Sequence, residues 1–309
     1  MKLLVIGAGA VGGYFGGRLF EAEKDVTFLV REQKRQQLQK TGLIIESPHG
    51  NINIHPPLIT TKDSGKFDVI LLTTKAYHLE QAIQDFKPFM HDKTIIIPLL
   101  NGIAHLETLE SYIPKNQVFG GVCFIESTLK DDGTIVHHGD MHTMLYGPRN
   151  EQASLSTNEV EQMFQSDKST FALRENIDSD MWQKYMLITV LSGTTTLFDA
   201  NIGQIKSSQS AMNVAESLIT EVATVIERID PSMDSERLRK KAQKQWDNLN
   251  ASFKASMQRD TEKGLAVEAD HIPGYLYVQA KAHQIDTPYL EVVYGNLQVY
   301  EQKRKDGSL

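Results

Sequence analysis

The sequence predicts an α/β protein in which an N-terminal doubly wound sheet is followed by an all-helical C-terminal domain. In the first half of its 309 residues, short apolar runs alternate with segments of helical periodicity, as a parallel sheet with crossover helices requires. From about residue 176 onward the strand-like runs stop and long helical patterns follow. We therefore expect two domains, residues 1–175 and residues 176–309.

The chain begins with a strand, a glycine-rich turn and a helix. Leu3–Ile6 is a short apolar run, and Gly7, Gly9 and Gly12 then form G-x-G-x-x-G while Val11–Phe20 continues at helical spacing. In a Rossmann-type unit these glycines make a tight turn, leave room for a pyrophosphate and let the helix pack closely on the strand. The helix N-terminus adds free N–H groups and a positive dipole end. We expect a dinucleotide site here, and a glycine-rich loop of another α/β protein is the alternative.

A second apolar strand, Val26–Val30, is followed by Arg31 rather than by an acidic residue. An acid about 20 residues after the last motif glycine binds the ribose of NAD, whereas an arginine there accommodates the 2′-phosphate of NADP through paired hydrogen bonds. Glu32 follows directly and is the alternative ribose ligand of an NAD site, while Lys34 and Arg35 add positive charge. A solvated arginine at a strand end is the other alternative. We predict NADPH as the cofactor.

The rest of the first half continues the alternation of strands and helices. Asp131-Asp132-Gly133 is a tight-turn sequence between two strand-like segments, and we expect these to form antiparallel strands at the edge of the sheet. The predicted elements are, in order, a strand at Phe67–Thr74, a helix at Tyr77–Met90, a strand at Thr94–Leu100, a helix at His105–Tyr112, strands at Val118–Ser127 and Gly133–Tyr146, a helix at Glu159–Gln165 and a strand at Thr170–Leu173.

The second half predicts helices alone. Pro231 and Pro273 interrupt its helical periodicity, so we expect helix boundaries or kinks at both residues. The predicted helices are Met181–Leu191, Ser210–Ile229, Ser235–Phe253, Ala266–Ala282 and a short one at Pro288–Glu301.

Composition bounds the class of protein. Hydrophobic residues make up 40% and charged residues 23%, which is typical of a folded globular chain. The net charge of −7 argues against a nucleic-acid-binding surface. No apolar run approaches the roughly 18 residues that span a membrane, and we expect a cytoplasmic protein without a membrane partner.

The cysteine and the histidines predict neither a disulfide nor a metal site. Cys123 is the single cysteine, which excludes an internal disulfide and fits a reducing compartment, and we expect it to be buried in a strand. His137, His138 and His142 lie in the predicted hairpin, but without a nearby set of cysteines or carboxylates their spacing matches no zinc pattern. We expect them to be surface histidines of an edge strand.

Polar residues follow two further strands of the predicted sheet. Ligands of open α/β sheets bind beyond the carboxyl ends of the strands. Thr74-Lys75-Ala76 and Asn101-Gly102 occupy such positions, so both are candidates for the same crevice as the glycine turn. The alternatives are a lysine that extends its amine to water and an asparagine that serves a turn.

Lys184 is the lone charge in an apolar helical stretch. Met181, Trp182, Tyr185 and Leu187 around it can pack in a core. A lysine in such surroundings loses hydration, which lowers its pKa towards that of a useful proton donor. An exposed lysine on the solvent side of the helix is the alternative.

Taken together, these motifs resemble those of the ketopantoate reductase family (2-dehydropantoate 2-reductases), almost from end to end. Their order and spacing are specific to that family. The resemblance implies a Rossmann domain and a helical domain, with NADPH and substrate bound in the cleft between them. The segments that carry it are GAGAVGG at 7–13, Thr74-Lys75-Ala76, Asn101-Gly102, Trp182-Gln-Lys184, Ser256-Met257, Val267-Glu268-Ala269-Asp270 and Ala280-Lys281-Ala282-His283.

The resemblance also implies a role for each candidate residue. Lys184 would be the general acid and Glu268 would position the substrate hydroxyl, so these are the expected catalytic residues. The expected substrate-binding residues are Asn101, Ser256, which would hold the carboxylate, and Ser192. The expected cofactor-binding residues are Gly7, Gly9, Ala10, Val11, Gly12, Arg31, Lys75 and Asn101.

The implied reaction is the NADPH-dependent reduction of 2-dehydropantoate to pantoate, by hydride transfer to the C2 carbonyl, in pantothenate biosynthesis. The family typically has asparagines four and eight residues after the lysine, on the same helix face, where this chain has Ile188 and Ser192. A different, less polar 2-keto acid is therefore an alternative substrate, unless Thr189 or Thr194–Thr196 supply the hydrogen bonds instead. A non-catalytic NADP(H)-binding sensor is a third alternative, and helices of the second domain could supply a homodimer face.

Overall fold

A computed structural model describes residues 1–150 and 153–308. The chain divides into two units, one of Met1–Leu100 with His105–Asp180 and the other of Asn101–Ala104 with Met181–Leu309. The first unit contains the sheets and the second is helical, which confirms the predicted fold class. The boundary between residues 175 and 176 stays a prediction.

Several strands of the first unit are short apolar runs, and Leu3–Ile6, Val26–Leu29 and Val69–Leu72 are fully buried. Such continuous apolar runs are typical of parallel strands that are covered on both faces. In chain order the strands are β1 (Leu3–Ile6), β2 (Val26–Leu29), β3 (Leu43–Glu46), β4 (Ile52–Ile54), β5 (Leu58–Ile59), β6 (Val69–Leu72), β7 (Ile95–Pro98), β8 (Phe119–Leu129), β9 (Ile135–Pro148) and β10 (Thr170–Leu173).

Helices cover these strands at the predicted places, and α2 (Glu32–Thr41) is an additional helix that was not predicted. The segment predicted as one helix after β6 is an α-helix with a short 3₁₀ turn at each end, Ala76–His78 and Lys87–Phe89. The helices up to residue 164 are α1 (Ala10–Glu21), α2 (Glu32–Thr41), α3 (Leu79–Phe86), α4 (Ala104–Tyr112) and α5 (Thr157–Phe164).

The first sheet has the strand order β5-β2-β1-β6-β7, and all of its pairings are parallel. Helix α1 packs on β1 and β2 through small residues: a Cβ on Gly16 would lie 2.7 Å from the Phe28 ring. On a neighbouring face of the same helix, a Cβ on Gly17 would lie 2.7 Å from Ile45 of β3. Helix α1 therefore packs against strands of both sheets in this unit.

The second sheet corrects one expectation. Strands β8 and β9 do form an antiparallel pair, but they belong to a separate sheet with the order β10-β9-β3-β4 rather than to an edge of the first sheet. The reason is that β3 and β4, which the sequence analysis did not assign, supply the missing partners, with β3 parallel to β9 and antiparallel to β4. Cys123 lies buried in β8, as predicted.

The second unit is built from helices that pack around one apolar core. Helix α8 is amphipathic, and its buried stripe includes Ala215, Leu218, Val222 and Ile226. In chain order the helices from residue 177 onward are α6 (Ile177–Phe198), α7 (Ile202–Lys206), α8 (Gln209–Ile229), α9 (Ser235–Asp247), α10 (Ser256–Glu262), α11 (Tyr275–Ala282) and α12 (Pro288–Lys305).

Two of the predicted helices are shorter in the structure, while α6 and α12 are longer. Helix α9 ends at Asp247 instead of Phe253, and the segment predicted as Ala266–Ala282 becomes α11 preceded by a π-helical turn, Asp270–Gly274. Proline lacks the N–H that a regular helix needs at position 273, so the Gly274 N–H donates to the Ala269 carbonyl oxygen at 2.9 Å. This turn begins two residues after Glu268.

Among residues 1–150 and 153–308, no helix combines the length and the apolar character that crossing a membrane requires.

Candidate active site

The G-x-G-x-x-G motif forms the turn between β1 and α1. Gly7 has a φ of +96°, a left-handed conformation that favours glycine. A Cβ on Gly12 would lie 2.1 Å from Thr73 Oγ1 and 2.3 Å from the Gly7 carbonyl oxygen, so no larger residue fits there. A Cβ on Gly9, in contrast, would meet no described protein atom within 4 Å. The turn therefore leaves open space beside Gly9, where a phosphate can approach the N-terminus of α1.

The carboxyl end of β6 supports this turn with two hydroxyl groups. Thr73 Oγ1 donates to the Ile6 carbonyl oxygen at 2.8 Å, which ties β6 to the end of β1. Thr74 Oγ1 is buried without a hydrogen-bond partner among the described residues, and its methyl group lies 3.9 Å from where a Cβ of Gly7 would be. A buried hydroxyl with an unused donor next to the glycine turn fits a phosphate-bearing cofactor. Lys75 follows as an exposed residue. No sequence motif had indicated a role for Thr73.

Arg31 lies at the carboxyl end of β2, where it is the exposed N-cap residue of α2. Its guanidinium forms no ion pair with the described residues. The neighbouring cations already have partners: Arg35 lies 3.4 Å from Asp63 and 3.9 Å from Glu32, and Lys34 Nζ donates to Gln37 Oε1 at 3.2 Å. Of the candidate cations on this segment, Arg31 is thus the one whose charge is available to a ligand.

In the second unit, Lys184 and Asn101 are brought together from distant parts of the chain. Lys184 is half-buried on α6, and its Nζ donates to Asn101 Oδ1 at 3.1 Å. Gly102 makes this contact possible with a φ of +78°. A Cβ there would lie 3.0 Å from the His271 carbonyl oxygen and 3.3 Å from the Tyr185 ring. Residues 101–104 therefore pack closely on α6 and on the π-helical turn.

Tyr185 connects α6 to the segment that carries Glu268. Its hydroxyl donates to the Ile272 carbonyl oxygen at 2.6 Å, and the Ile272 N–H in turn donates to the Glu268 carbonyl oxygen at 3.0 Å. Complete burial raises the pKa of Tyr185 well above its usual value, so the hydroxyl stays protonated as a donor. Glu268 is itself buried, with 7% of its surface exposed. Sequence reasoning had assigned Tyr185 to packing alone, and no local signal distinguishes this second role.

The remaining candidates occupy more scattered positions. Ser192 is buried two turns along α6 from Lys184, whereas Ser256 is the exposed first residue of α10. The threonine hydroxyls that were alternatives to the missing asparagines are used inside α6, because each donates to a carbonyl four residues earlier. These bonds are Thr189 to Tyr185, Thr194 to Val190, Thr195 to Leu191 and Thr196 to Ser192.

The expectation of surface histidines is wrong for two of the three residues. His137 is 2% exposed and His142 is half-buried, and both stack with His49, while only His138 is exposed as expected. The reason is that β9 is an interior strand of the second sheet, paired with β8, β3 and β10. Burial, with repulsion from neighbouring cationic groups, lowers the pKa of His142 to about 4.

Comparison with known proteins identifies relatives over nearly the whole chain. The family model "Ketopantoate reductase PanE/ApbA" matches residues 3–151, and its C-terminal counterpart matches residues 176–301. The "Uncharacterized oxidoreductase YkpB" of Bacillus subtilis is 41% identical over 308 residues, covering 98% of this chain and all of that protein. The 2-dehydropantoate 2-reductase of Pyrococcus horikoshii is 26% identical over 291 residues, covering 93% of each chain.

Solved structures share the fold over the full length. The ternary structure of D-mandelate dehydrogenase with NADH and anilino(oxo)acetate superimposes with a TM-score of 0.88, at 21% identity and 99% coverage of both chains. A PanE/ApbA family ketopantoate reductase from Ralstonia eutropha gives a TM-score of 0.85, at 21% identity and with 99% of this chain and all of that chain covered. At these identities the similarity shows the fold alone.

Proposed function

The chain belongs to the ketopantoate reductase family of oxidoreductases, and on that premise we propose that it reduces a 2-keto acid with NADPH. The first candidate substrate is 2-dehydropantoate, the compound named in the reductase relatives. The observation that carries the proposal is the hydrogen bond from the Lys184 ammonium to Asn101, which fixes a proton donor beside an amide.

The catalytic step assigns one role to each of these residues. When bound, NADPH would supply the hydride that reduces the C2 carbonyl carbon, and would itself be oxidised to NADP⁺. Lys184 donates a proton to the carbonyl oxygen, so that the 2-keto acid becomes a 2-hydroxy acid, and water then returns a proton to the amine. The positive charge of Lys184 also stabilises the negative charge that develops on that oxygen. Asn101 holds the lysine, and Glu268 positions the substrate hydroxyl.

The cofactor is proposed to bind along the glycine turn. The backbone of Gly7, Gly9, Ala10, Val11 and Gly12 would hold the pyrophosphate. Arg31 would bind the 2′-phosphate, and Lys75 and Asn101 would lie near the nicotinamide. Two observations support this assignment: the unpartnered Thr74 hydroxyl beside the turn, and the exposed Arg31 guanidinium without an ion pair among described residues.

A second candidate function is the reduction of a 2-keto acid with a less polar side chain. Ile188 occupies the position one turn after Lys184, and it packs against the apolar core of the second unit. The nearby Thr189 hydroxyl donates to the Tyr185 carbonyl. A polar substrate group at this place would lose a hydrogen-bond partner, at a cost of about 1–3 kcal/mol. The D-mandelate dehydrogenase structure, which contains an aromatic oxo acid, is consistent with this alternative. Ser192 and Ser256 are proposed to bind the substrate in either case.

Steady-state kinetics across a panel of substrates tests the proposal. NADPH oxidation is measured with ketopantoate, with short alkyl 2-keto acids and with an aryl 2-keto acid. The highest kcat/KM on ketopantoate supports the first candidate, and a preference for an apolar side chain supports the second. If NADPH binds but none of the compounds is reduced, the proposed 2-keto acid reduction is wrong and the alternative of an NADP(H)-binding sensor is favoured.

Ile188→Asn sharpens this test because it introduces the residue that is typical of the family. It should raise kcat/KM for ketopantoate by about tenfold if the side chain meets the substrate, since one hydrogen bond to a polar group is regained. Ile188→Leu is the matched control and should leave the ratio between ketopantoate and apolar substrates unchanged. An equal change in both variants would show that the Ile188 side chain does not determine substrate specificity.

We also propose that the protein forms a homodimer. Helix α12 exposes Val292 and Val299, which lie two turns apart on one face, and α11 exposes Val278. A Staphylococcus aureus ketopantoate reductase, 22% identical and with a TM-score of 0.83, is described as dimeric. Sedimentation of the purified protein distinguishes a dimer from a monomer.

A further inference from the structure

Three histidines from two separate segments meet in the first unit. Each of them offers a ring nitrogen, and these atoms all lie within 4.8 Å of one another. His49 comes from the turn between β3 and β4, while His137 and His142 come from β9. The candidate active site uses none of them.

A bulge in β9 brings the two strand residues together. His137 and His142 are five residues apart, so in a regular strand they would point to opposite faces of the sheet. The register shift between Ile125 and Glu126 changes this: His142 pairs with Ile125 and His137 pairs with Ser127. Their partners are two residues apart, and both histidines therefore lie on the same face. Such bulges are structural features that re-aim side chains, often next to functional sites.

Two of the rings are oriented by hydrogen bonds to backbone carbonyls. His49 Nε2 lies 3.0 Å from the Asp140 carbonyl oxygen, and His137 Nε2 lies 3.1 Å from the Met141 carbonyl oxygen. A carbonyl oxygen only accepts, so both Nε2 atoms carry the hydrogen and both Nδ1 atoms keep a lone pair. Both carbonyls belong to the bulge, which thus fixes the tautomer of the rings as well as their positions.

The third ring is held from helix α1. Tyr14 is fully buried, and its hydroxyl lies 2.7 Å from His142 Nδ1, which leaves Nε2 of that ring as the available nitrogen. Each ring therefore has one nitrogen bound to a fixed partner, and its other nitrogen carries the lone pair that a ligand would take; in His137 that lone pair now accepts a hydrogen bond from Ser47. Metal-binding histidines typically show this arrangement, in which the second nitrogen donates to a carbonyl or another polar group.

We propose that His49, His137 and His142 form a binding site for one divalent transition-metal ion of the zinc type. Imidazole suits Zn²⁺, Ni²⁺, Cu²⁺ and Co²⁺ better than it suits Mg²⁺ or Ca²⁺. Tetrahedral coordination at about 2.0–2.1 Å needs nitrogens roughly 3.3 Å apart, so the site closes by rotation of its rings, which now lie parallel. The exposed His49 ring has room to rotate, and water completes the coordination.

Two local contacts bear on the affinity of this site. Ser47 Oγ lies 2.9 Å from His137 Nδ1, and this bond gives way when the ion binds. Arg18 contributes a nearby positive charge, but its guanidinium is paired with Glu21 at 2.8 Å and donates to the Gly50 carbonyl. The local charge is therefore partly balanced before the ion arrives.

The ion would connect three elements of the first unit: the turn between β3 and β4, the bulge of β9 and, through Tyr14, helix α1. An ion that binds only the folded state stabilises it in proportion to the logarithm of its concentration. We therefore expect Zn²⁺ to raise the midpoint of thermal unfolding of the wild-type protein. This effect is independent of substrate turnover.

The test measures metal binding by protein that is purified without a histidine tag and stripped with a chelator. Zn²⁺ is titrated in competition with a chromophoric chelator, and Co²⁺ absorption reports the coordination geometry. Wild type should bind one ion per chain. His49→Ala, which changes an exposed turn residue, should lower the affinity at least tenfold. Tyr14→Phe should lower it about tenfold, because loss of a residue that is hydrogen-bonded to a metal-binding histidine typically weakens metal binding by about that factor. His138→Ala, an exposed neighbour on the same strand, is the matched control and should bind as wild type does.

Two outcomes would overturn the proposal. One is a wild-type chain that takes up neither Zn²⁺ nor Co²⁺ at stoichiometric concentration. The other is equal affinity in wild type and His49→Ala, which would show that binding occurs at some other place. The thermal midpoint of His49→Ala without metal, measured alongside, confirms that this variant is folded.

Discussion

The glycine turn of the first unit and the lysine site of the second are built from the chain in different ways. The turn is contiguous, and its geometry follows from residues that must be glycine where the backbone crowds or turns left-handed. The lysine site depends on a hydrogen bond between residues 83 positions apart. A contiguous motif is fixed by its own residue types, whereas the assembled site is fixed by the packing that surrounds it.

The largest effect is expected at the assembled site. Lys184→Ala should lower kcat by about 10²- to 10⁴-fold because it removes both the proton donor and the charge beside the developing oxyanion. NADPH affinity, measured by fluorescence titration, should stay within about twofold of wild type. Lys241→Ala is the matched control, since Lys241 donates to Gln183, the neighbour of Lys184, and should leave kcat unchanged. A rate in Lys184→Ala that equals the wild-type rate would exclude the general-acid role.

The contiguous turn offers a pair of substitutions that separate folding from cofactor binding. Gly12→Ala should destabilise the protein by about 1–3 kcal/mol, because its methyl group would overlap Thr73 and the Gly7 carbonyl. Gly9→Ala should change the free energy of unfolding by less than about 0.5 kcal/mol, since its methyl group meets no described atom. Gly9→Ala should nevertheless weaken NADPH binding at least tenfold, because a pyrophosphate would need that space. Undiminished NADPH affinity in a folded Gly9→Ala protein would contradict the proposed site.

The difference between a contiguous motif and an assembled site also explains how much of the fold could be predicted from the sequence. The βαβ unit was predictable because β1, the glycines and α1 are adjacent, and each constrains the next. The strands β3, β4 and β5 were missed because none has more than three apolar residues in a row and each is only partly buried, whereas β1 and β6 are continuous buried apolar runs. Without them, the separate second sheet and the interior position of β9 could not be predicted.

The candidate sites show the same difference: contiguous motifs could be predicted from the sequence, and contacts between distant residues could not. The contact between Asn101 and Lys184 cannot be derived from spacing. Its place after a strand suggested Asn101 and its apolar surroundings suggested Lys184, but only the resemblance to a family put the two residues in one site. The role of Tyr185 and the meeting of His49 with His137 and His142 were also missed. The first depends on a π-helical turn caused by Pro273, and the second on a bulge that reverses the direction of a side chain. Neither irregularity has a sequence signal as strong as the glycine motif.

A substitution of Arg31 tests whether the preference for NADPH over NADH depends on this one residue at the end of β2. Arg31→Ala should raise the KM for NADPH about tenfold or more and leave the KM for NADH unchanged, because a charge-assisted hydrogen bond is lost only where a 2′-phosphate is present. Arg35→Ala is the control, since Arg35 is already engaged by Asp63 and Glu32. Equal kcat/KM for both cofactors in the wild type would show that Arg31 does not select between them.

The smallest expected effect concerns the packing that supports the lysine site. Tyr185→Phe keeps the ring but leaves the Ile272 carbonyl oxygen without its 2.6 Å hydrogen bond, which should cost about 1–3 kcal/mol in urea unfolding. Tyr277→Phe removes a more exposed hydrogen bond to Glu291, and should cost less than about 1 kcal/mol. If Tyr185 also holds Glu268 in place, its loss should raise the KM for the 2-keto acid while the KM for NADPH stays constant. A change in stability without that KM effect would mean that the assembled site tolerates movement of this segment, and that its geometry is held chiefly by the contact between Asn101 and Lys184.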